Sequence, residues 1–458
     1  MLRISNREEL LDTKKSSLRA RKIALNVVES VLKSVDPRRI VESKMVLDGS
    51  LLRVKGCSVD LDSFERVFVV GGGKASGAMA EAVIQLLGDR INKGLVVVPR
   101  GTVKQRFIGR IELHEASHPV PDENSVAGAR KLLDLALEAE DKDLVLGFFS
   151  GGGSSLMASP LEGLSLGDKQ RVTELLLRSG ACISEINTVR KHLSGFKGGW
   201  LAKACFPARV ISLLLSDVIG DDVGVIASGP TAPDSTTFED AIKVLRRYSL
   251  WELVPSSVKK VLSNGEKGEI PETPKASDPV FEEVSNIVIG NNGLACASAV
   301  DELRRHGLQT VFLSSYVEGQ AKDLGLMLGA MAIEMVSSGN PVATPAGIVL
   351  GGETTVTVTG EGKGGRNQEI ALGAALKLNG LNNTALVSFS TDGADGPTDA
   401  AGALADGSTV QRARERGMDA KAFLKENDSY SFFSRLSDLV LTGSTGTNVN
   451  DLSILVVL

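Results

Sequence analysis

Six short segments of this chain bring glycine or a tight turn together with charged and hydroxyl side chains. The first, Gly71-Gly72-Gly73-Lys74-Ala75-Ser76-Gly77, follows an apolar run and leads into an alanine-rich stretch. A strand-to-helix turn of this composition aims backbone N–H groups and a lysine at an anion, so Gly72, Gly73, Lys74 and Ser76 are candidate phosphate contacts. A tight turn with a solvated lysine is the plainer alternative; three glycines beside the lysine favour the anion site. The segment is not a P-loop, since Phe68 stands where the first glycine belongs and Ala75 follows the lysine. Nor is it a dinucleotide fingerprint: Ser76 takes the third glycine position, and the stretch Gly94 to Arg100 lacks the acidic ribose partner.

A second loop, Ser150-Gly151-Gly152-Gly153-Ser154-Ser155, fails the nucleophile-elbow pattern because Leu156 stands where its last glycine belongs. Phosphate or carboxylate binding through Gly152, Gly153 and Ser154 fits, as does a plain helix N-cap. Asn187 to Gly199 packs Arg190, Lys191, His192 and Lys197 into eight residues. A solvated basic face competes there with a site for an anionic substrate, for which Arg190 is suited by its bidentate fork.

Ser216-Asp217 ends an apolar run, where a carboxylate can hold Mg²⁺ or orient a hydroxyl nucleophile. Asp221 and Asp222 could instead cap a following helix. Gly360-Glu361-Gly362-Lys363-Gly364-Gly365-Arg366 leads into an apolar helix. Cations at a helix N-terminus oppose the macrodipole, which suggests a bound anion that compensates. Thr391-Asp392-Gly393-Ala394-Asp395-Gly396 adds carboxylates suited to a metal or to turn chemistry. Several anion cradles, separate carboxylate loops and no thiolate, zinc or triad pattern fit phosphoryl transfer, which depends on positioning and charge stabilisation.

The elements that must position these groups are legible as well. Apolar runs end at Val70, Phe149, Leu215, Ile289 and Phe389, each against a turn. Helical patterns lie over 78–87, 125–139, 167–178, 294–305 and 321–337. Alternation of short apolar runs with helices predicts an α/β fold with parallel sheets, and ligands then sit outside the carboxyl ends of strands. Of 49 glycines, 27 fall in eight segments totalling 62 residues, which places the glycine excess in these loops. Thr354 to Thr359 alternates β-branched residues and predicts a half-exposed strand in a hairpin or mixed sheet. Prolines at 255, 271, 274 and 279 predict a boundary in that stretch, dividing the chain into domains 1–254 and 255–458.

Composition narrows the classes. With 458 residues, net charge −5, 42% apolar and 4% aromatic residues, the chain is neither a stapled scaffold nor a disordered one, and no basic, aromatic-interleaved stripe marks nucleic-acid binding. No apolar run approaches a membrane span. The first residues lack a signal-peptide apolar region, and Glu8, Glu9 and Asp12 argue against a transit peptide. Four scattered cysteines read as reduced, mostly buried thiols of a cytoplasmic protein.

In order along the chain, GGGKASGAMA, SGGGSSL, EINTVRKHLSGFKGG, LSDVIGDDVGVIASGPTAPDSTT, GGETTVTVTGEGKGGRNQE, TDGADGPTDAAGA and TGTNVNDL resemble the glycerate 2-kinases with a MOFRL-type C-terminal domain. The resemblance spans nearly the whole chain. It implies an N-terminal Rossmann-like α/β/α domain with a mostly parallel sheet, a C-terminal α/β domain with a mixed sheet, and a site in the cleft between them. The implied reaction is Mg²⁺- and ATP-dependent phosphorylation of D-glycerate at its 2-hydroxyl, carried out as a monomer or homodimer. It assigns Lys74 and Arg366 as a catalytic pair, Ser154, Asn187, Arg190 and Lys191 as substrate or phosphate contacts, and Asp217 or Asp392 as base or metal ligand. Glycines 72, 73, 152, 153, 364 and 365 fall in its phosphate loops. Ser444 and Ser117 depart from the family pattern without removing a charged group. Some members carry the name hydroxypyruvate reductase, the alternative activity.

Overall fold

The computed structural model describes residues 3–12 and 17–458. Two compact units emerge: Pro37–Ile289, and a second assembled from the segment ending at Asp36 together with Gly290–Leu458. The division differs from the expected 254/255 boundary at both ends. After the proline-rich stretch the chain adds one more strand to the first unit's sheet, and the Leu18–Ser34 helix packs instead on the second unit's Asn292–Arg305 helix. Arg21 anchors that helix: fully buried, it bonds Asp406 Oδ2 at 2.6 Å, pairs with Asp438, and donates from Nε to the Leu10 carbonyl at 3.0 Å. No local composition signal reveals a contact across nearly 400 residues.

In the first unit, β1 (Met45–Asp48), β2 (Leu51–Val54) and β3 (Cys57–Asp60) form a small antiparallel sheet. The main sheet contains β4 (Arg66–Gly72), β5 (Lys93–Pro99), β6 (Phe107–Ile108), β7 (Ile111–Ala116), β8 (Asp143–Phe149), β9 (Arg209–Leu215) and β10 (Val284–Gly290), in the order β10-β9-β8-β4-β5-β7-β6. Its central pairs are parallel, with β6 antiparallel to β7. β8 is buried along its whole length, as continuous apolar strands covered on both faces must be. Numbering β4, β5, β7, β8 and β9 as one to five gives the spatial order 3-2-1-4-5 of a doubly wound sheet. Strand order reverses between β4 and β8, and the two loops leaving their carboxyl ends are Gly71–Gly77 and Ser150–Ser155. Ligands of such sheets bind at that reversal.

The second unit has one mixed sheet of β11 (Gln309–Val317), β12 (Ala346–Gly352), β13 (Thr384–Ser390), β14 (Gly402–Asp406), β15 (Leu439–Val440) and β16 (Asp451–Val457), ordered β11-β12-β16-β13-β14-β15. Only β11/β12 is parallel among the paired strands described. Ile348, Leu350, Leu386 and Leu455 pack with the Ala321–Ser338 and Arg366–Leu378 helices, while the alternate Val349, Val387, Ile454 and Val456 are equally buried. Period-two alternation with both sets buried means that both faces are covered.

The Thr354–Thr359 strand does not form. β12 stops at Gly352, and the segment makes only an isolated bridge at Thr355. Asn427 takes the place of a neighbouring strand: its Oδ1 accepts from the Thr359 and Gly360 amides at 2.8 and 3.0 Å, and its Nδ2 donates to the Thr357 carbonyl at 3.3 Å. Cys205 and Cys296 are buried, but Cys57 is partly and Cys182 fully exposed. No helix among the described residues is long and apolar enough to cross a membrane.

Candidate active site

The two glycine loops at the β4/β8 reversal grip each other. Gly73 N–H donates to Val97 O at 3.1 Å, Lys74 N–H to Gly151 O at 2.9 Å, and Ala75 N–H to Ser150 Oγ at 3.0 Å. Ser76 is fully buried with its hydroxyl 3.4 Å from that of Ser150. The expected backbone cradle at 72–76 is therefore committed to the protein, and Ser76 has no face for a ligand. What this loop presents is the half-buried Lys74 side chain.

The second loop is closed by Gly153 N–H to Ser150 O and by Ser155 and Leu156 N–H to Gly152 O. A Cβ at Gly151 would collide with the Asp217 carboxylate. At Gly152, in the left-handed region at φ 83°, a Cβ would lie 3.2 Å from Lys74 Cγ and 3.1 Å from His118 Nε2. Lys74, Asp217 and His118 thus converge on Gly151 and Gly152. His118 carries no signal in the sequence because its partner lies on another strand's loop. The next helical turn is the short 3-10 stretch Ile226–Ser228, which starts after Val225, while Asp222 Oδ1 accepts from Gly224 N–H at 2.8 Å.

Ser154 Oγ lies 2.6 Å from Ser228 Oγ, whose hydroxyl reaches Asn187 Oδ1 at 3.3 Å. Ala227 and Ser228 hold φ of 51° and 62°, a left-handed conformation that non-glycine residues rarely adopt and that marks functional turns. The Ile183–His192 helix carries Asn187 and Arg190 on one face. Lys191 points elsewhere: it is nearly buried and pairs with Asp234 at 3.3 Å, so its place is structural. Asp234 is further held by Thr236 and Thr273. His192 is likewise internal, between Thr188 O at 2.7 Å and Glu272 at 2.8 Å.

A cavity of about 730 Å³ opens beside Ser154 and Ser155, lined by Lys169, Arg190 and Lys197. Lys169 donates to Leu193 O and Lys197 to Met157 O, both at 2.8 Å. Burial, followed by the nearby Arg190 charge, lowers Lys169 to about 7, and burial with repulsion from Lys169 and Arg190 drives Lys197 well below its ordinary value. Lys197 belongs to the basic cluster legible in the sequence, whereas nothing in the local sequence singles out Lys169.

In the second unit Arg366 opens the Arg366–Leu378 helix, bonding Glu353 Oε1 at 2.7 Å and both oxygens of Asp451. Burial alone would lower its pKa, but pairing with Asp451 and Glu353 raises it. Asp395 caps the helix start, its carboxyl oxygens accepting from the Asn367 and Gln368 amides at 3.1 and 2.9 Å. A Cβ at Gly365 would collide with Asp395, and one at Gly364 with Ser429. The anion that the sequence pattern called for is therefore the protein's own carboxylates. Burial and the Asp451 charge push Asp395 up to about 7. Asp392 closes its own turn, Oδ1 accepting from Ser390 Oγ at 2.9 Å and Ala394 N–H at 3.0 Å.

No group of three or more His, Cys, Asp or Glu among the described residues could enclose a metal ion. Mg²⁺ in phosphoryl transfer needs only one or two carboxylates, with phosphate and water completing its shell. Asp392, half-buried on a strand-end turn, is a carboxylate of the kind such a single-ligand role requires.

Residues 23–263 match the family described as a domain of unknown function, DUF4147, and residues 346–451 match the MOFRL family. A glycerate 2-kinase of Pyrococcus horikoshii is 42% identical over 95% of this chain and 97% of its own length. A relative from Agrobacterium vitis, 42% identical over 94% of this chain and 93% of its own, carries the name putative hydroxypyruvate reductase. The crystal structure of a Thermotoga maritima glycerate kinase superposes with a TM-score of 0.84 at 41% identity, covering 95% of this chain and 99% of that one. With its motifs, both unit folds and these relatives in agreement, the chain belongs to the glycerate 2-kinase family.

Proposed function

We propose that this enzyme transfers the γ-phosphoryl group of ATP to the 2-hydroxyl of D-glycerate, giving 2-phosphoglycerate and ADP. The observation that carries this reading is the meeting of Lys74 and Asp217 on the Gly151–Gly152 turn at the strand-order reversal of a doubly wound sheet. Lys74 supplies charge that stabilises the transferring group, and Arg366, pre-oriented by Glu353 and Asp451, supplies a second positive charge for it. Asp217 orients the hydroxyl and accepts its proton. Ser154, Asn187 and Arg190 hold the hydroxy acid. Mg²⁺ bound with the nucleotide and held by Asp392 would neutralise phosphate charge.

A reductase would need a dinucleotide's pyrophosphate at the first glycine turn. The amides of Gly73, Lys74 and Ala75 are already bonded within the protein, and β5 ends in Pro99-Arg100 with Arg100 paired to Asp122. Phosphorus NMR of the product distinguishes 2-phosphoglycerate from 3-phosphoglycerate. Steady enzyme-dependent NAD(P)H oxidation with hydroxypyruvate, read at 340 nm without coupling enzymes, would overturn the kinase assignment.

A further inference from the structure

We propose that Lys169, Arg190 and Lys197 form an oxyanion receptor in the cavity beside Ser154, taking either the carboxylate of the hydroxy acid or a phosphate of the nucleotide. Lys197 is 1% and Lys169 9% exposed, and both line the cavity with Arg190. Each lysine bonds one backbone carbonyl, leaving further N–H donors, and among the described residues no carboxylate forms an ion pair with any of the three. Glu174 also lines the cavity, but it is bound to Arg171 at 3.1 Å and Arg178 at 2.8 Å. Buried cations without countercharge are costly and persist where a ligand supplies it.

The lining also includes apolar side chains, of which Val120, Leu177 and Ile183 are among the exposed large hydrophobics. About 730 Å³ exceeds what a three-carbon acid fills and accommodates a nucleotide, with apolar side chains for the base and cations for phosphate. The shared chemistry is an oxyanion on a small ligand.

The inference rests on the kinase reading only for the identity of the two ligands. Its test is isothermal titration of wild type, Lys169→Met and Lys197→Met with D-glycerate, ADP and inorganic pyrophosphate, alongside thermal melts. Affinity for D-glycerate alone, or for ADP and pyrophosphate together, is expected to fall about tenfold or more, which names the source. Methionine keeps the stem's volume and removes a buried amine that has no countercharge, so the variants should melt at or above wild type. Wild-type affinity for all three probes, or a lowered melting temperature in both variants, would overturn the receptor. Pyrophosphate binding that depends on Lys197 in an enzyme that fails to phosphorylate glycerate would sink the kinase reading and leave the receptor standing.

Discussion

Replacing Lys74 by Met isolates the charge that the first glycine loop presents. Its backbone N–H bond to Gly151 O is untouched, and its aliphatic stem, which passes close to Gly152, keeps a partner of similar length. Neutralising this half-buried side chain is expected to shift melting by no more than about 2 °C, equivalent to about 0.5–1 kcal/mol for a unit of this size. Loss of one preorganised charge at a developing phosphoryl transition state typically costs about 3–4 kcal/mol, so turnover should slow roughly a hundred- to a thousandfold. Because a transition-state interaction is lost, kcat and kcat/KM for glycerate should fall together. The assay is ADP release at saturating glycerate and ATP, with circular dichroism melts on the same preparation. Turnover within about threefold of wild type, or lost turnover matched by a lost fold, would refute the role given to Lys74.

Three other outcomes follow from the same geometry. Arg21→Ala leaves the fully buried Asp406 without its principal cation and removes one cation from Asp438, which keeps Arg412 at 2.6 Å, so a loss of about 3–5 kcal/mol is expected in urea titrations. Gly151→Ala drives a methyl into the Asp217 carboxylate; about 1–3 kcal/mol of stability should go and turnover should slow at least about tenfold, and unchanged kinetics would remove Asp217 from the site. For Asp395 the folded pKa of about 7 stands above the ordinary 3.8. Its contribution is fully present below 3.8 and is lost as pH rises through 7, by up to about 4 kcal/mol. Wild-type stability relative to Asp395→Asn should therefore decline between about pH 4 and pH 8, and a constant difference would disprove the buried titration.

Much of the fold was legible because strand and helix signals are local. The runs ending at Val70, Phe149, Leu215 and Phe389 became β4, β8, β9 and β13, where a continuous apolar run is covered on both faces, and the run ending at Ile289 became the half-buried edge strand β10. Thr354–Thr359 shows the limit: β-branched alternation says what a pleated surface would accept, and Asn427, a residue far along the chain, met the backbone's hydrogen bonds instead.

The sequence by itself determined the family, the glycine-rich turns at the strand ends, and that Lys74 and Asp217 lie on such turns. Only the tertiary structure decided what each group faces. It turned the amides of 73–75 inward, paired Lys191 with Asp234, set Glu353 and Asp451 against Arg366, and placed Lys169 beside Arg190 and Lys197. The physical reason is range. Backbone propensity and turn chemistry act over a few residues, whereas charge compensation and burial depend on whichever distant segments the sheets bring together, and those partners carry no local mark.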